Sequence, residues 1–143
     1  MKRLLVLFVL FIAACASSTQ SDAPVRAAMA GFMDALNSLD ADRMAAYFAD
    51  DVTAFVPIAQ ADRVNGKAAV VAVFRSYAET TKKSISRTNI IPEDLRVDLY
   101  GDTAIVTFNV RNPSSTARRT WVFRQMNGKW LITHFHASNF TSK

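Results

Sequence analysis

The chain holds one cysteine, two histidines, four glycines and four prolines among 143 residues. A lone thiol closes no intramolecular disulfide, so covalent cross-links add nothing to the stability of a single chain. Gly-rich phosphate loops, Walker motifs and serine or cysteine triad patterns are all missing, and no cofactor is expected. Internal repeats and low-complexity tracts are missing too. The basic residues past the first three are scattered (Lys82, Lys83, Arg87, Arg111, Arg118, Arg119, Arg124, Lys129) rather than massed on one helix. That pattern fits a solvated surface, with nucleic acid not expected as a partner.

The longest apolar run, Leu4 to Ala14, follows the positive start Met1-Lys2-Arg3. It is too short to span a bilayer as a helix but suits the apolar part of an export signal. Its end, Ile12-Ala13-Ala14-Cys15, resembles the bacterial lipoprotein signal at every position. The resemblance implies cleavage before Cys15, lipid on that cysteine, and a place on the periplasmic face of the outer membrane. Ala14-Cys15-Ala16 also fits ordinary cleavage after Ala16, which stays open as the alternative. The reading is residues 1–14 as signal peptide, 15–22 as lipidated cysteine and polar tether, and 23–143 as one domain.

Within that domain, Asp22 and Pro24 open a helix over 24–38, with Val25, Met29, Phe32, Met33 and Leu36 on one stripe. Gly31 interrupts it at roughly 1 kcal/mol relative to alanine, which suggests a close packing contact. Asp40 caps a second, short helix that buries Met44, Tyr47 and Phe48, ended by Asp50-Asp51. A strand over 52–56 stops at Pro57. A third helix over 67–81 carries Val70, Val73, Phe74 and Tyr77. Residues 84–91 read as a strand that Pro92 interrupts.

Two hairpins close the chain. The first, from Leu95 to Val110, turns at Gly101-Asp102 and places Leu95, Val97, Leu99, Ala104, Val106, Phe108 and Val110 on one face. The second turns at Asn127-Gly128, the strongest short-range hairpin signal, and a two-residue type I′ turn fixes its register. Strict pairing puts Trp121 opposite His134 and Arg119 opposite His136. One face then bears Arg119, Trp121, Phe123, Trp130, Ile132, His134 and His136. The other bears Val122, Arg124, Leu131, Thr133 and Phe135. Early helices and late strands predict an α+β fold, helices covering one face of a curved antiparallel sheet.

The closing strand Trp130-Leu-Ile132-Thr-His134-Phe-His136, the approach Phe48-Ala-Asp-Asp-Val52, and the order of elements resemble the NTF2-like superfamily, and within it the SnoaL-like domains. The resemblance covers about residues 24–140. It implies a cone with a pocket at the wide end, small-molecule binding, and a homodimer through the sheet. In the isomerase branch of that superfamily a carboxylate base precedes a proline at the end of the first strand. Here that position is Val56-Pro57, and the late strands' concave face carries no Asp or Glu, so only His134 and His136 could serve as acid or base.

The candidate ligand-binding residues are therefore Arg119, Trp121, His134, His136 and Tyr47. A cation with an aromatic wall behind it suits an anionic head on an apolar body. All but His136 have a plainer reading: Arg119 at a wet rim, Trp121 and Tyr47 in the core, His134 hydrogen-bonded inside it. No third ligand accompanies the histidines, so no metal is expected. The alternatives to a binding protein are an isomerase, dehydratase or hydrolase using His134 and His136, or a dimeric assembly module. Val122, Leu131, Phe135, Ile105 and Tyr100 are the residues expected to pair two copies.

Overall fold

A helical stripe starts the structured part of the chain. In the computed structural model, which describes residues 20–57, 62–112 and 115–141, Val25, Met29, Phe32, Met33 and Leu36 of helix α1 (Ala23–Asn37) are all buried. The expected export signal, Cys15 and most of the tether lie outside the described residues. Pro24 stands in the first turn of α1, and the Asp22 carboxylate accepts from Arg26 Nε at 2.7 Å rather than capping a backbone amide. At Gly31 a methyl group would meet the Tyr47 hydroxyl and lie 2.9 Å from its ring carbon Cζ, so this is the close contact that glycine permits. Helix α2 (Ala41–Ala45) is capped by Asp40, whose side chain accepts from Arg43 N–H at 3.0 Å.

Strands β1 (Phe48–Phe55) and β2 (Val64–Asn65) follow, then α3 (Lys67–Lys82), β3 (Glu93–Tyr100), β4 (Thr103–Asn112), β5 (Ser115–Met126) and β6 (Lys129–Thr141). They form one six-stranded sheet in the order β2-β1-β6-β5-β4-β3, with β1 parallel to β6 and the other pairs antiparallel. The expected α+β arrangement is the one observed. No helix among the described residues is long and apolar enough to cross a membrane. Strand β1 starts earlier than expected because Tyr47 O accepts from Ile132 N–H at 2.8 Å, which starts its pairing with β6. Asp50 and Asp51 do not end a helix; they sit where the β1–β6 register shifts.

Phe32 is the centre of the core. Its ring lies 4.7 Å from Trp121, 5.4 Å from Phe48 and 5.7 Å from Phe74, each edge to face. The β3–β4 hairpin keeps its expected register from Tyr100↔Thr103 to Arg96↔Thr107, and Ala104, Val106 and Phe108 are buried.

The closing hairpin departs from strict pairing. From Met126↔Lys129 to Phe123↔Ile132 it follows the turn, but the next pair is Val122↔His134, leaving Thr133 as an extra residue. This β-bulge inverts the faces of the outer half of β6. Trp121 pairs with Phe135 instead of His134, and Arg119 with Ala137 instead of His136. Phe135 is thereby buried, while His134 is half-buried and His136 exposed on the opposite face. Burying a phenyl ring gains about 1.5–3 kcal/mol, whereas burying an unpartnered polar group costs roughly 1–3 kcal/mol. Both terms favour the bulged register. The faces expected for His134, His136 and Phe135 are thus corrected, and Phe135 cannot belong to an outward surface.

Residues 84–91 form no strand. Asn37, the last residue of α1, takes their backbone instead: its carbonyl accepts from Thr88 N–H (2.9 Å), its Oδ1 accepts from Ile90 N–H (2.8 Å), and its Nδ2 donates to Ile90 O (3.0 Å). Arg87 adds bonds to the Asp34 carboxylate and the Ser38 hydroxyl, both 2.8 Å. With Thr88 N–H and both backbone groups of Ile90 bound to a helix end, these residues take no sheet partner. It is an irregular strap joining α3 to β3.

Candidate functional site

Between this strap, α3 and the concave face of the sheet lies a cavity of about 710 Å³. Phe74, Phe108 and Phe135 line it, with Met33 and Leu36 from α1; Val110, Ala117 and Ala137 continue the sheet wall. The strap supplies Ile85, Arg87, Thr88 and Ile90, and Tyr77 of α3 stands beside it. At the β3–β4 side, Glu93 accepts from Arg111 Nε at 2.7 Å, and both line the cavity. Among the described lining residues Glu93 is the one carboxylate, and histidine is absent.

Three arginines reach this space, and two are salt-bridged to carboxylates. Arg111 pairs with Glu93; Arg87 pairs with Asp34, which also takes Arg43 at 2.8 Å. Hydrogen bonds from Arg87 and then Arg43 hold the Asp34 carboxyl below its usual pKa. Arg119 differs. Cross-strand from Phe108 on β4 and Ala137 on β6, it has no carboxylate partner among the described residues. Its Nη1 donates to the carbonyls of Arg118 (2.9 Å) and Ser138 (3.0 Å), and its Nη2 to Asn139 Oδ1 (3.3 Å). Burial lowers its pKa, with no acidic neighbour offsetting the desolvation. A guanidinium remains charged in a protein, so a half-buried cation with no carboxylate partner among the described residues stands on the wall of a chamber of mixed polar and apolar lining.

Of the five expected ligand-binding residues, Arg119 alone lines the cavity. Trp121 is buried in the core among Phe32, Phe108 and Phe135, and its Nε1 has no hydrogen-bond partner among the described residues. Tyr47 packs edge-on against Phe32 at 6.1 Å. His134 and His136 lie on the convex face because of the bulge at Thr133. There Thr53 Oγ1 and His134 Nδ1 are 2.8 Å apart, and Phe55 contacts both imidazoles at 6.1 and 5.9 Å between ring centres. Burial first, then the charges of His136 and Arg63, lower the His134 pKa. Arg119 does not face His136; its partner on β6 is Ala137.

The sequence reading missed Asn139, Glu93 and the strap. Asn139 enters the cavity through the same inversion that removes the histidines. Glu93 stands just ahead of the apolar alternation that marks the hairpin, beginning at Leu95. Tyr77, on the apolar stripe expected for the third helix, is 39% exposed at the cavity's edge. Among the described residues no group of three or more His, Cys, Asp or Glu is placed to hold a metal ion.

Residues 25–142 match the family model of the SnoaL-like domain. Among solved structures, the chain is similar to an NTF2-like protein of unknown function from Pseudomonas putida KT2440 (24% identity, 82% of this chain and 84% of that one, TM-score 0.73). It is also similar to a provisionally assigned dehydratase of the NTF2-like family from Streptomyces avermitilis (19%, 84% and 96%, TM-score 0.70). The association domain of CaMKII from C. elegans matches at 18% identity over 82% of this chain and 99% of that one, TM-score 0.64. No curated protein matches. At these identities the solved structures bear on fold alone, and the family match covers nearly all of the described chain. The chain belongs to the SnoaL-like domain family.

Proposed function

We propose that this domain binds a small organic molecule with an anionic head, and that Arg119 holds the head. One observation carries the reading: a guanidinium without a carboxylate partner among the described residues, on the wall of a cavity of about 710 Å³ whose sheet side is lined by Phe108, Val110, Phe135 and Ala137. A desolvated cation is costly unless paired, and an incoming anion would supply the missing charge. Arg119→Ala should abolish the thermal stabilisation that organic acids give the purified protein, whereas Arg124→Ala, exposed on the convex face, should leave it intact. Equal effects of the two substitutions would refute the reading.

Catalysis by His134 and His136 is the weaker reading, since both lie outside the cavity and Glu93 is tied to Arg111. An assembly role has its own support. The convex face carries Phe55 (39% exposed) and Tyr100 (63% exposed) beside Val122, Leu131 and Ile105, and one similar solved structure is an association domain. We extend the proposal to a homodimer through this face. Val122→Lys with Leu131→Lys should yield monomers by light scattering; a wild-type protein that is already monomeric at high micromolar concentration contradicts it. Cys15, by its sequence context, is proposed as the lipid attachment site of an envelope protein. Cys15→Ser should block lipid labelling, and unaltered processing would favour ordinary cleavage.

A further inference from the structure

The hydrogen bonds of Arg119 leave one edge of the guanidinium unclaimed. Nη1 serves two main-chain carbonyls and, at 3.4 Å, Asn139 Oδ1, which also takes one proton of Nη2. Nε–H and the second Nη2 proton have no partner among the described residues. Those two donors are parallel and coplanar, the edge on which a carboxylate docks through both oxygens. Nε is not among the buried side-chain atoms without a partner, so the edge reaches solvent and is open to an acceptor that enters the cavity.

Charge narrows the class of that partner. Arg111 has Glu93, and Arg87 shares Asp34 with Arg43, so Arg119 is the one lining arginine with no carboxylate partner among the described residues. A planar carboxylate matches that edge with one charge and two acceptors, whereas a tetrahedral phosphate monoester brings a third oxygen and a second charge that the edge does not take. The body of the ligand is indicated by the rest of the lining. Of the exposed large apolar side chains, Tyr77 (39%), Ile85 (46%) and Ile91 (59%) all border this cavity. Aromatic rings inside and an apolar lip outside offer contact to a hydrocarbon chain or ring.

We infer that the ligand class is a monocarboxylate with an extended apolar body, its carboxylate on the Nε–Nη2 edge of Arg119 and its body running to the Tyr77–Ile85–Ile91 lip. The inference rests on the anionic-head reading above and specifies it.

The test is equilibrium dialysis of the purified full chain at pH 8 against matched probes. These are straight-chain and phenyl-terminated alkanoates, with the alcohol and the phosphate monoester of each same skeleton. At least one alkanoate should bind one to one, about tenfold or more tighter than its alcohol and tighter than its phosphate ester. Arg119→Gln should reduce the acid to the level of the alcohol. Arg119→Lys, which keeps the charge and loses the planar edge, should recover only part of the affinity. Ile85→Ser with Ile91→Ser should weaken long acids more than short ones. A phosphate ester that outbinds its acid overturns the monocarboxylate class and leaves the anionic head standing. An alcohol equal to its acid, an Arg119→Gln protein of unchanged affinity, or a series in which no acid binds at millimolar concentration overturns both.

Discussion

The two halves of the closing hairpin carry similar sequences and end in different environments. Beside the Asn127-Gly128 turn, Gln125↔Trp130 and Phe123↔Ile132 pair as the turn dictates. Beyond Thr133, the partners shift by one residue and every side chain of β6 changes face. The turn fixes register only as far as the core agrees with it. Past that point Phe135 has more to gain from Phe48, Phe74 and Trp121, at 5.7–6.1 Å between ring centres, than the histidines would. A single unpaired threonine resolves the conflict, and with it decides which residues see the cavity.

Adjacent positions of β6 should therefore respond very differently to truncation. Phe135→Ala is expected to cost about 3–5 kcal/mol, as a buried aromatic does, while His136→Ala should change stability by less than about 0.5 kcal/mol. Urea unfolding measures both; similar losses would mean that the histidine is the inward residue. The bulge itself can be tested by length. Deleting Thr133 leaves Ile132, His134 and Phe135 alternating correctly, so the protein should still fold, at a cost below that of Phe135→Ala. Inserting one alanine between Val122 and Phe123 removes the mismatch from the other side and would drive Trp121 and Phe135 outward. That variant should not fold cooperatively, by circular dichroism and thermal scanning.

The smallest effect concerns the convex face. His134 has a lowered pKa, through burial first and then the charges of His136 and Arg63, so the folded state takes up this proton less readily than the unfolded chain. Its contribution favours folding above the ordinary imidazole value of about 6.5 and declines as pH falls from there toward the lower folded value. His134→Gln should flatten the stability profile in that window. A wild-type profile with no such slope, or an identical slope in the variant, would show that His134 is not the group responsible.

Much of the fold was legible because its signals are local. The α1 stripe, the Asp40 cap, the Gly31 contact and both tight turns depend on residues near in sequence or on simple periodicity. The bulge was not, because Thr-His-Phe-His alternates equally well in either phase and the choice is made by rings on β1, α3 and β5. The strap was not, because its hydrogen-bond partner is Asn37, 51 and 53 residues away from Thr88 and Ile90. Arg119 could be placed correctly since it lies on β5, whose own alternation the bulge does not touch. Its companion Asn139 lies on β6 beyond Thr133, and could not.

The arginine side chain itself offers the most direct test of the account. In a ¹⁵N-resolved spectrum of the protein, addition of a bound alkanoate should shift the Arg119 Nε–H resonance downfield, as a charge-assisted hydrogen bond forms on that edge. The imidazole resonances of His134 and His136 should stay in place. Movement of the imidazoles with an unmoved Arg119 Nε–H would contradict both the inverted face and the site built on it.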